Sequence, residues 1–412
     1  MSILADLLST VFEHRYKTTD KADLDKRPIA TLVDDLLSDH GEVSGAALAC
    51  QILDRYAAME TTRKQELFNH LANKMGIDPA KVRETLSAYE DKPSKASYRS
   101  FMSAVEPTRQ EFMRRLNQVP GATGQLVAMR HDLLQLAKKQ PELSALDVDM
   151  RHLFSTWFNR GFLVLRPINW ESPAHILEKI IAYEAVHTIE SWDDLRRRLQ
   201  PTDRRCFAFF HPSMPNEPLV FVEVALTQGI PNSIQTVLSD DREMISSEDA
   251  DTAVFYSISN CQAGLAGISL GNSLIKQVVA DLTQELPALK TFVTLSPIPT
   301  LMQWLDETGR RSDVGDNETL RKVAANYLLC AKNNSGRPYD PVARFHLGNG
   351  ALIHAVHTGA DLSANGVAQS GGAMVNYLYN LTKISHNHEQ FVTKKKIAAS
   401  KEVRALSASA DI

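Results

Sequence analysis

Leu295-Ser-Pro-Ile-Pro299 puts a hydroxyl, Ser296, directly before one proline and three residues before another. A proline has no N–H to give a strand ladder and biases the residue before it away from helix. The apolar, β-branched run Thr291-Phe-Val-Thr-Leu295 is therefore expected to be a strand that stops here, with Ser296 held at its end. A second unit with chemical potential lies upstream. Ala253-Val-Phe-Tyr-Ser-Ile258 reads as a strand, Gly264, Gly267 and Gly271 punctuate a loop, and Leu274, Ile275, Val278, Val279, Leu282 and Leu286 mark one face of a helix. A strand that feeds a glycine-rich turn and then a helix gathers unpaired N–H groups and the positive end of the helix dipole, where anions bind. Glycine lets a pyrophosphate come close to such a backbone. No Gly-Lys-Ser/Thr follows and the spacing is not GxGxxG, so nucleoside triphosphates and NAD are disfavoured. The same glycines fit tight helix–sheet packing equally well. Ser257 and Ser259 alternate with Tyr256 and Ile258, so both hydroxyls face one side of the sheet and one of them, Ser257, is a candidate pocket residue.

The remaining reactive side chains point to less. His354, His357, His386 and His388 form no H-E-x-x-H helix or compact ligand set, and they read as surface histidines rather than metal ligands. The four cysteines, Cys50, Cys206, Cys261 and Cys330, contain no CxxC pair, which argues against a zinc ribbon or a disulfide framework and for a reducing compartment. A formal net charge of −4 offers no basic stripe for nucleic acid. No stretch approaches the roughly 20 apolar residues of a membrane-spanning helix. Met1-Ser-Ile-Leu-Ala-Asp6 meets a charge too early for a secretory h-region, and Ser409 to Ile412 is not a Ser-Lys-Leu address, so the expected setting is cytoplasmic.

The elements that must position these residues fall into two kinds. With 412 residues, 43% hydrophobic and 23% charged, the chain is globular in composition and long enough for two domains. Up to Trp157 the apolar residues recur every three or four positions, as in Leu126, Met129, Leu133 and Leu136 beside Arg130, Asp132 and Lys138. That predicts an all-α module, 1–157, whose charges, including Arg114-Arg115, lie on solvated helix faces. From residue 158 the pattern is mixed. Phe162-Leu-Val-Leu165 predicts a short strand, and Ile176, Ile180, Ile181 and Ala185 an amphipathic helix. Ser191 to Asp194 predicts a capped start for the helix through Leu199. Cys206–Phe210 and Leu219–Leu226 predict a hairpin joined by the long turn-rich loop His211–Pro218.

At this level the sequence resembles a known family. Gly267-Ile-Ser-Leu-Gly271-Asn-Ser-Leu-Ile275 is similar to the pyrophosphate loop of GNAT-type acetyltransferases, and the chain from Trp157 onward resembles the malonyl-CoA decarboxylase family. The resemblance rests on Glu217-Pro-Leu-Val220, Val224-Ala-Leu-Thr227, Phe255-Tyr-Ser-Ile-Ser259, Leu295-Ser-Pro-Ile-Pro299, Pro341-Val-Ala343, Phe345-His-Leu-Gly-Asn-Gly-Ala351 and Met374-Val-Asn-Tyr377. It implies an α+β chain: an N-terminal all-α helical domain that mediates homo-oligomerisation, then a GNAT-like α/β domain, 158–412, with a central, mostly antiparallel sheet. Ala266, Gly267, Ile268, Ser269, Leu270, Gly271 and Asn272 are the implied phosphate loop. Ala266 and Ser269 depart from the Gln or Arg and the Gly usual at the first and fourth loop positions, which removes a side-chain contact and leaves backbone donors.

The resemblance further implies decarboxylation of malonyl-CoA to acetyl-CoA and carbon dioxide. Ser296 contacts the malonyl carboxylate and serves as proton acceptor, His346 protonates the nascent acetyl carbon, and Asn376 and Tyr377 support His346 or the substrate. The thioester itself is the electron sink, so no cofactor or metal is implied. Two other readings remain open: a CoA-dependent acyltransferase of the GNAT type and a non-catalytic acyl-CoA sensor.

Overall fold

A computed structural model describes residues 27–38, 41–268, 270 and 274–410. They form an N-terminal helical region followed by an α/β region with a mostly antiparallel mixed sheet. The chain divides into two compact units, one of Met1–Leu163 with the later segments His211–Pro215 and Gln262–Ser269, the other of the remainder. No described helix is long and apolar enough to cross a membrane.

In the first unit the expected three- and four-residue periodicity becomes helices from Ile29–Leu37 to Ser144–Trp157. Asp78 caps Pro79–Asp91 by accepting from the N–H groups of Ala80 and Lys81, and Ser94 with Ser97 forms a capping box at the start of Lys95–Val105. Arg114 and Arg115 pair with Glu106 and Glu111, as solvated faces do. Arg130 does not follow that expectation. It is 1% exposed. Its Nε donates to Asp147 at 2.8 Å, and its Nη1 donates to the carbonyls of Gly264 at 2.7 Å and Ala266 at 2.9 Å. A guanidinium can be buried only when its charge and donors are matched, and here one carboxylate and two carbonyls do so. This arginine therefore fastens the 262–269 segment to the helix Ala122–Ala137.

Gly264 lies against the same helix, where a Cβ would meet the Val127 carbonyl oxygen at 1.9 Å. For this glycine, close backbone approach explains the residue type.

The sheet has eight strands: β1 (Val164–Ile168), β2 (Arg204–His211), β3 (Met214–Thr227), β4 (Thr252–Asn260), β5 (Thr291–Thr294), β6 (Ser296–Pro297), β7 (Leu352–His357) and β8 (Met374–Leu378). The order is β1-β2-β3-β4-β5-β8, with β6 and β7 also pairing to β8. β4 and β5 are parallel, whereas β1–β2, β3–β4 and the pairings of β8 are antiparallel. Ser191 caps Trp192–Leu199 by accepting from Asp194 N–H, as its position predicts. The first strand starts later than expected, since Arg160–Phe162 is a 3-10 turn. The long loop expected at His211–Pro218 is instead a two-residue turn, because β3 already begins at Met214 and runs through Pro215 and Pro218.

Ile168, Ile176, Leu177, Ile180, Leu195 and Phe221 pack on one face of the sheet, and Val254, Tyr256, Val293, Leu295 and Met374 form a second cluster. The helix Leu274–Glu285 buries Leu274, Ile275, Val278, Val279 and Leu282, the face its sequence marked.

Substituting Gly264→Ala should force the 262–269 segment off its helix. Overpacking of this kind costs about 1–3 kcal/mol, read as a lower midpoint in chemical denaturation; an unchanged midpoint would show that the segment relaxes freely.

Candidate active site

The Ser296 hydroxyl owes its place to a change of partners along one strand. β4 and β5 run side by side from the Thr252–Thr291 pair to the Phe255–Thr294 pair, and Leu295 N–H still donates to the Phe255 carbonyl at 3.0 Å. After that they diverge. Ser296 and Pro297 pair with Val375 and Met374 of β8, while β4 continues to Asn260 without a β5 or β6 ladder. A wedge thus opens between the far half of β4 and the strand carrying Ser296. Ser296 lies at its edge, 5% exposed, and donates its hydroxyl hydrogen to Thr294 Oγ1 at 2.8 Å. The same threonine oxygen accepts from Tyr377 N–H at 3.2 Å, so it ties the strand crossing to β8.

His346 arrives from the helix Pro341–Gly348. Pro341 opens that helix at a position where no N–H is needed, and Asp340 caps it by accepting from Ala343 N–H at 2.8 Å. The helix ends at Gly348, and Gly350 turns the chain away with a φ of +87° that suits glycine, where a Cβ would meet the Ile384 carbonyl oxygen at 2.2 Å. His346 thereby falls in the last turn, 2% exposed. Its ring stacks on Tyr377 with centroids 4.5 Å apart. Nε2 lies 3.2 Å from Ser296 Oγ, and Nδ1 lies 2.7 Å from the Tyr379 hydroxyl.

With the Ser296 hydrogen on Thr294, one tautomer satisfies both ring contacts. Burial pushes the Tyr379 phenol well above its ordinary range, so it stays protonated and has a hydrogen to donate to Nδ1 in that tautomer. The imidazole hydrogen then sits on Nε2 and points at Ser296, whose own hydrogen goes to Thr294. Burial also pushes His346 down to about 3, since no anion in the free site offsets the loss of solvent, and the ring is neutral near pH 7.

The other expected residues are placed as follows. Ser257 and Ser259 do face one side, 3.3 Å apart, and the Ser257 hydroxyl contacts both carboxylate oxygens of Glu184 at 2.8 and 2.7 Å. Asn376 does not touch His346. Its amide donates to the Thr294 carbonyl at 2.9 Å, and its oxygen accepts from His357 Nε2 at 2.5 Å, so it braces the strand carrying Ser296. Tyr377 supplies the stacking face beneath the imidazole. In the glycine loop, Ala266 N–H donates to Ala263 at 3.1 Å and Ile268 N–H to Leu265 at 2.9 Å, so both are committed inside the turn. Gly267 has a φ of +77°, and Leu270 is buried. Ser269, Gly271 and Asn272 lie outside the described residues.

Three residues escaped the sequence reading: Thr294, Tyr379 and Glu184. Thr294 is two residues before Ser296 on the same strand face, a spacing that could have singled it out. Tyr379 follows β8, two positions beyond Tyr377, and nothing local marks it. Glu184 gathers Ser257 and the N–H groups of Val186 and His187 from a helix terminus, a purely tertiary arrangement.

Residues 75–158 match the family description "Malonyl-CoA decarboxylase N-terminal domain", and residues 161–319 and 310–411 match "Malonyl-CoA decarboxylase C-terminal domain". The goose (Anser anser anser) protein named "Malonyl-CoA decarboxylase, mitochondrial" is 35% identical over 408 residues, covering 84% of this chain and 81% of that one. The crystal structure of malonyl-CoA decarboxylase from Rhodopseudomonas palustris superposes with a TM-score of 0.86 at 46% identity, covering 92% of this chain and 98% of that one. That from Agrobacterium vitis gives 0.86 and 46%, covering 92% and 99%. The chain belongs to the malonyl-CoA decarboxylase family.

Proposed function

We propose that this chain is a carboxy-lyase that converts malonyl-CoA to acetyl-CoA and carbon dioxide through a thioester enolate, with Ser296 and His346 as its catalytic residues and no cofactor. The observation that carries the reading is the buried 3.2 Å contact between Ser296 Oγ and His346 Nε2 beside the wedge between β4 and β6. Breaking the bond between the carboxylate carbon and Cα releases carbon dioxide and sends the electron pair into the thioester carbonyl. Donors fixed at that oxygen are worth about 2.7 to 4 kcal/mol each, and the edge of β4 beyond Phe255, which has no strand partner on that side, is where this reading seats it. The enolate then takes one proton at Cα. The malonyl carboxylate brings next to His346 the negative charge that the free site lacks, which raises the affinity of the imidazole for the proton that it delivers. In this scheme Thr294 and Tyr379 are positioning residues that aim the serine and the imidazole.

The assay is malonyl-CoA with no amine acceptor. Stoichiometric acetyl-CoA and carbon dioxide are expected; a requirement for an amine would favour an acyltransferase, and binding without turnover a sensor. Ser296→Ala should lower turnover at least about tenfold, or roughly 1.4 kcal/mol of barrier, and His346→Asn about 10²-fold or more, with CoA binding retained in both. Near-normal rates in either variant would remove that residue from the mechanism.

The buried neutral imidazole also sets a pH dependence of stability. Its folded value of about 3 lies below the roughly 6.5 of an unfolded histidine. Between those values the unfolded chain binds a proton that the folded chain refuses, so stability is lost as pH falls below about 6.5. His346→Asn should therefore lose less stability than the parent between pH 7 and pH 4.5 in denaturant titrations; equal losses would mean that the ring protonates freely in the fold.

The reading includes a homo-oligomer built through the helical segment, in a cytoplasmic, reducing setting. In support, all four cysteines are free thiols. Pro79–Asp91 buries none of its residues and Lys95–Val105 only Ala104, leaving Leu86, Tyr98 and Met102 exposed on this helical pair. Sedimentation should give a multiple of the chain mass that falls to one chain in the double variant Leu86→Asp, Met102→Asp. A parent protein that sediments as a single chain would end this part of the proposal.

A further inference from the structure

Resting on the reading that the ligand is a coenzyme A thioester, we infer that Arg151 is a phosphate-recognition residue, which holds a phosphate of coenzyme A at Gly267. Arg151 is exposed on the helix Ser144–Trp157. A Cβ built on Gly267 would lie 3.6 Å from its Nε and 3.7 Å from its Cζ, so the guanidinium sits against the glycine where the loop turns with positive φ. Two independent features make this guanidinium available. On the helix it follows Asp147 by four residues, the spacing and polarity at which an acid and a base ordinarily pair. That partner is taken, because Asp147 accepts from Arg130 Nε at 2.8 Å, and Arg151 makes no hydrogen bond or ion pair among the described residues. Asp147 is thus committed to Arg130, and Arg151 has no carboxylate paired to it among the described residues.

Two backbone donors of the described part of the loop are already engaged. The N–H groups of Ala266 and Ile268 are spent within the turn, the carbonyls of Gly264 and Ala266 are drawn to Arg130, and Ala266 has no side-chain donor to offer. With those two donors engaged, Arg151 is a charged donor placed beside Gly267, and its guanidinium presents a planar fork that suits phosphate oxygens. The missing Cβ of Gly267 leaves that fork open to an anion.

The test compares Arg151→Gln and Arg151→Lys with the parent on malonyl-CoA and on malonyl-pantetheine, which carries no phosphate beyond the pantetheine arm, together with calorimetric titration of CoA and 3′-dephospho-CoA. Arg151→Gln should raise KM for malonyl-CoA about tenfold with kcat unchanged, as loss of uniform binding does. It should leave malonyl-pantetheine untouched, and Arg151→Lys should restore part of the loss. If the variant weakens CoA and 3′-dephospho-CoA alike, the contact is to the pyrophosphate; if it weakens only CoA, the contact is to the 3′-phosphate. Unchanged CoA affinity in Arg151→Gln, or a parallel loss on malonyl-pantetheine, would overturn the assignment. Should the parent bind CoA but turn over no malonyl-CoA, the decarboxylase reading fails while the calorimetry still decides the role of Arg151.

Discussion

One threonine oxygen lies at the point where the sheet changes partners. A strand that leaves one neighbour and joins another must keep its main-chain groups satisfied through the crossing, because a buried unpaired N–H or C=O is costly. Here Thr294 Oγ1 accepts both the Ser296 hydroxyl and the Tyr377 N–H, and the Thr294 carbonyl accepts from Asn376. The crossing is held from three sides. β4 can then part from its parallel neighbour without leaving that neighbour frayed, and the resulting wedge has a fixed hydroxyl at its edge.

The imidazole is fixed by the same economy of donors. Tyr379, His346, Ser296 and Thr294 form a chain in which the Ser296 hydrogen goes to Thr294 and one tautomer of the ring satisfies both of its contacts. Stacking on Tyr377 holds the plane of the ring. Burial keeps that ring neutral until a negative charge arrives beside it. In the proposed reaction the carboxylate of the substrate would supply that charge.

The helical unit uses a buried charge for a comparable end. Arg130 spends its donors on Asp147 and on two carbonyls of the 262–269 segment, pinning a loop that would otherwise have only a 3-10 turn to define it. A pinned loop can present a neighbouring surface reproducibly, at the cost of turning some of its own backbone donors inward. Periodicity places Arg130 beside solvent-facing charges, but its carbonyl partners come from 134 and 136 positions away along the chain, and periodicity carries no information about them.

Local pattern was enough for the elements. The helices before Trp157, the marked face of Leu274–Glu285, the cap at Ser191 and the arrest of a strand near Ser296 follow from residue type and spacing, because each is decided by interactions among near neighbours. The early start of β3 through two prolines did not follow from it, since tolerance of proline depends on which edge of the strand needs its N–H. Nor did the use of Asn376 and Ser257, whose partners His357, Thr294 and Glu184 are tertiary. Sequence by itself determined where the secondary structure breaks and, through its resemblance to a family, named Ser296 and His346 as candidate residues. Only the tertiary structure decided which of them meet, which tautomer His346 adopts and which arginine is left unpaired, because hydrogen-bond direction and charge balance depend on the nearest neighbours in space rather than along the chain.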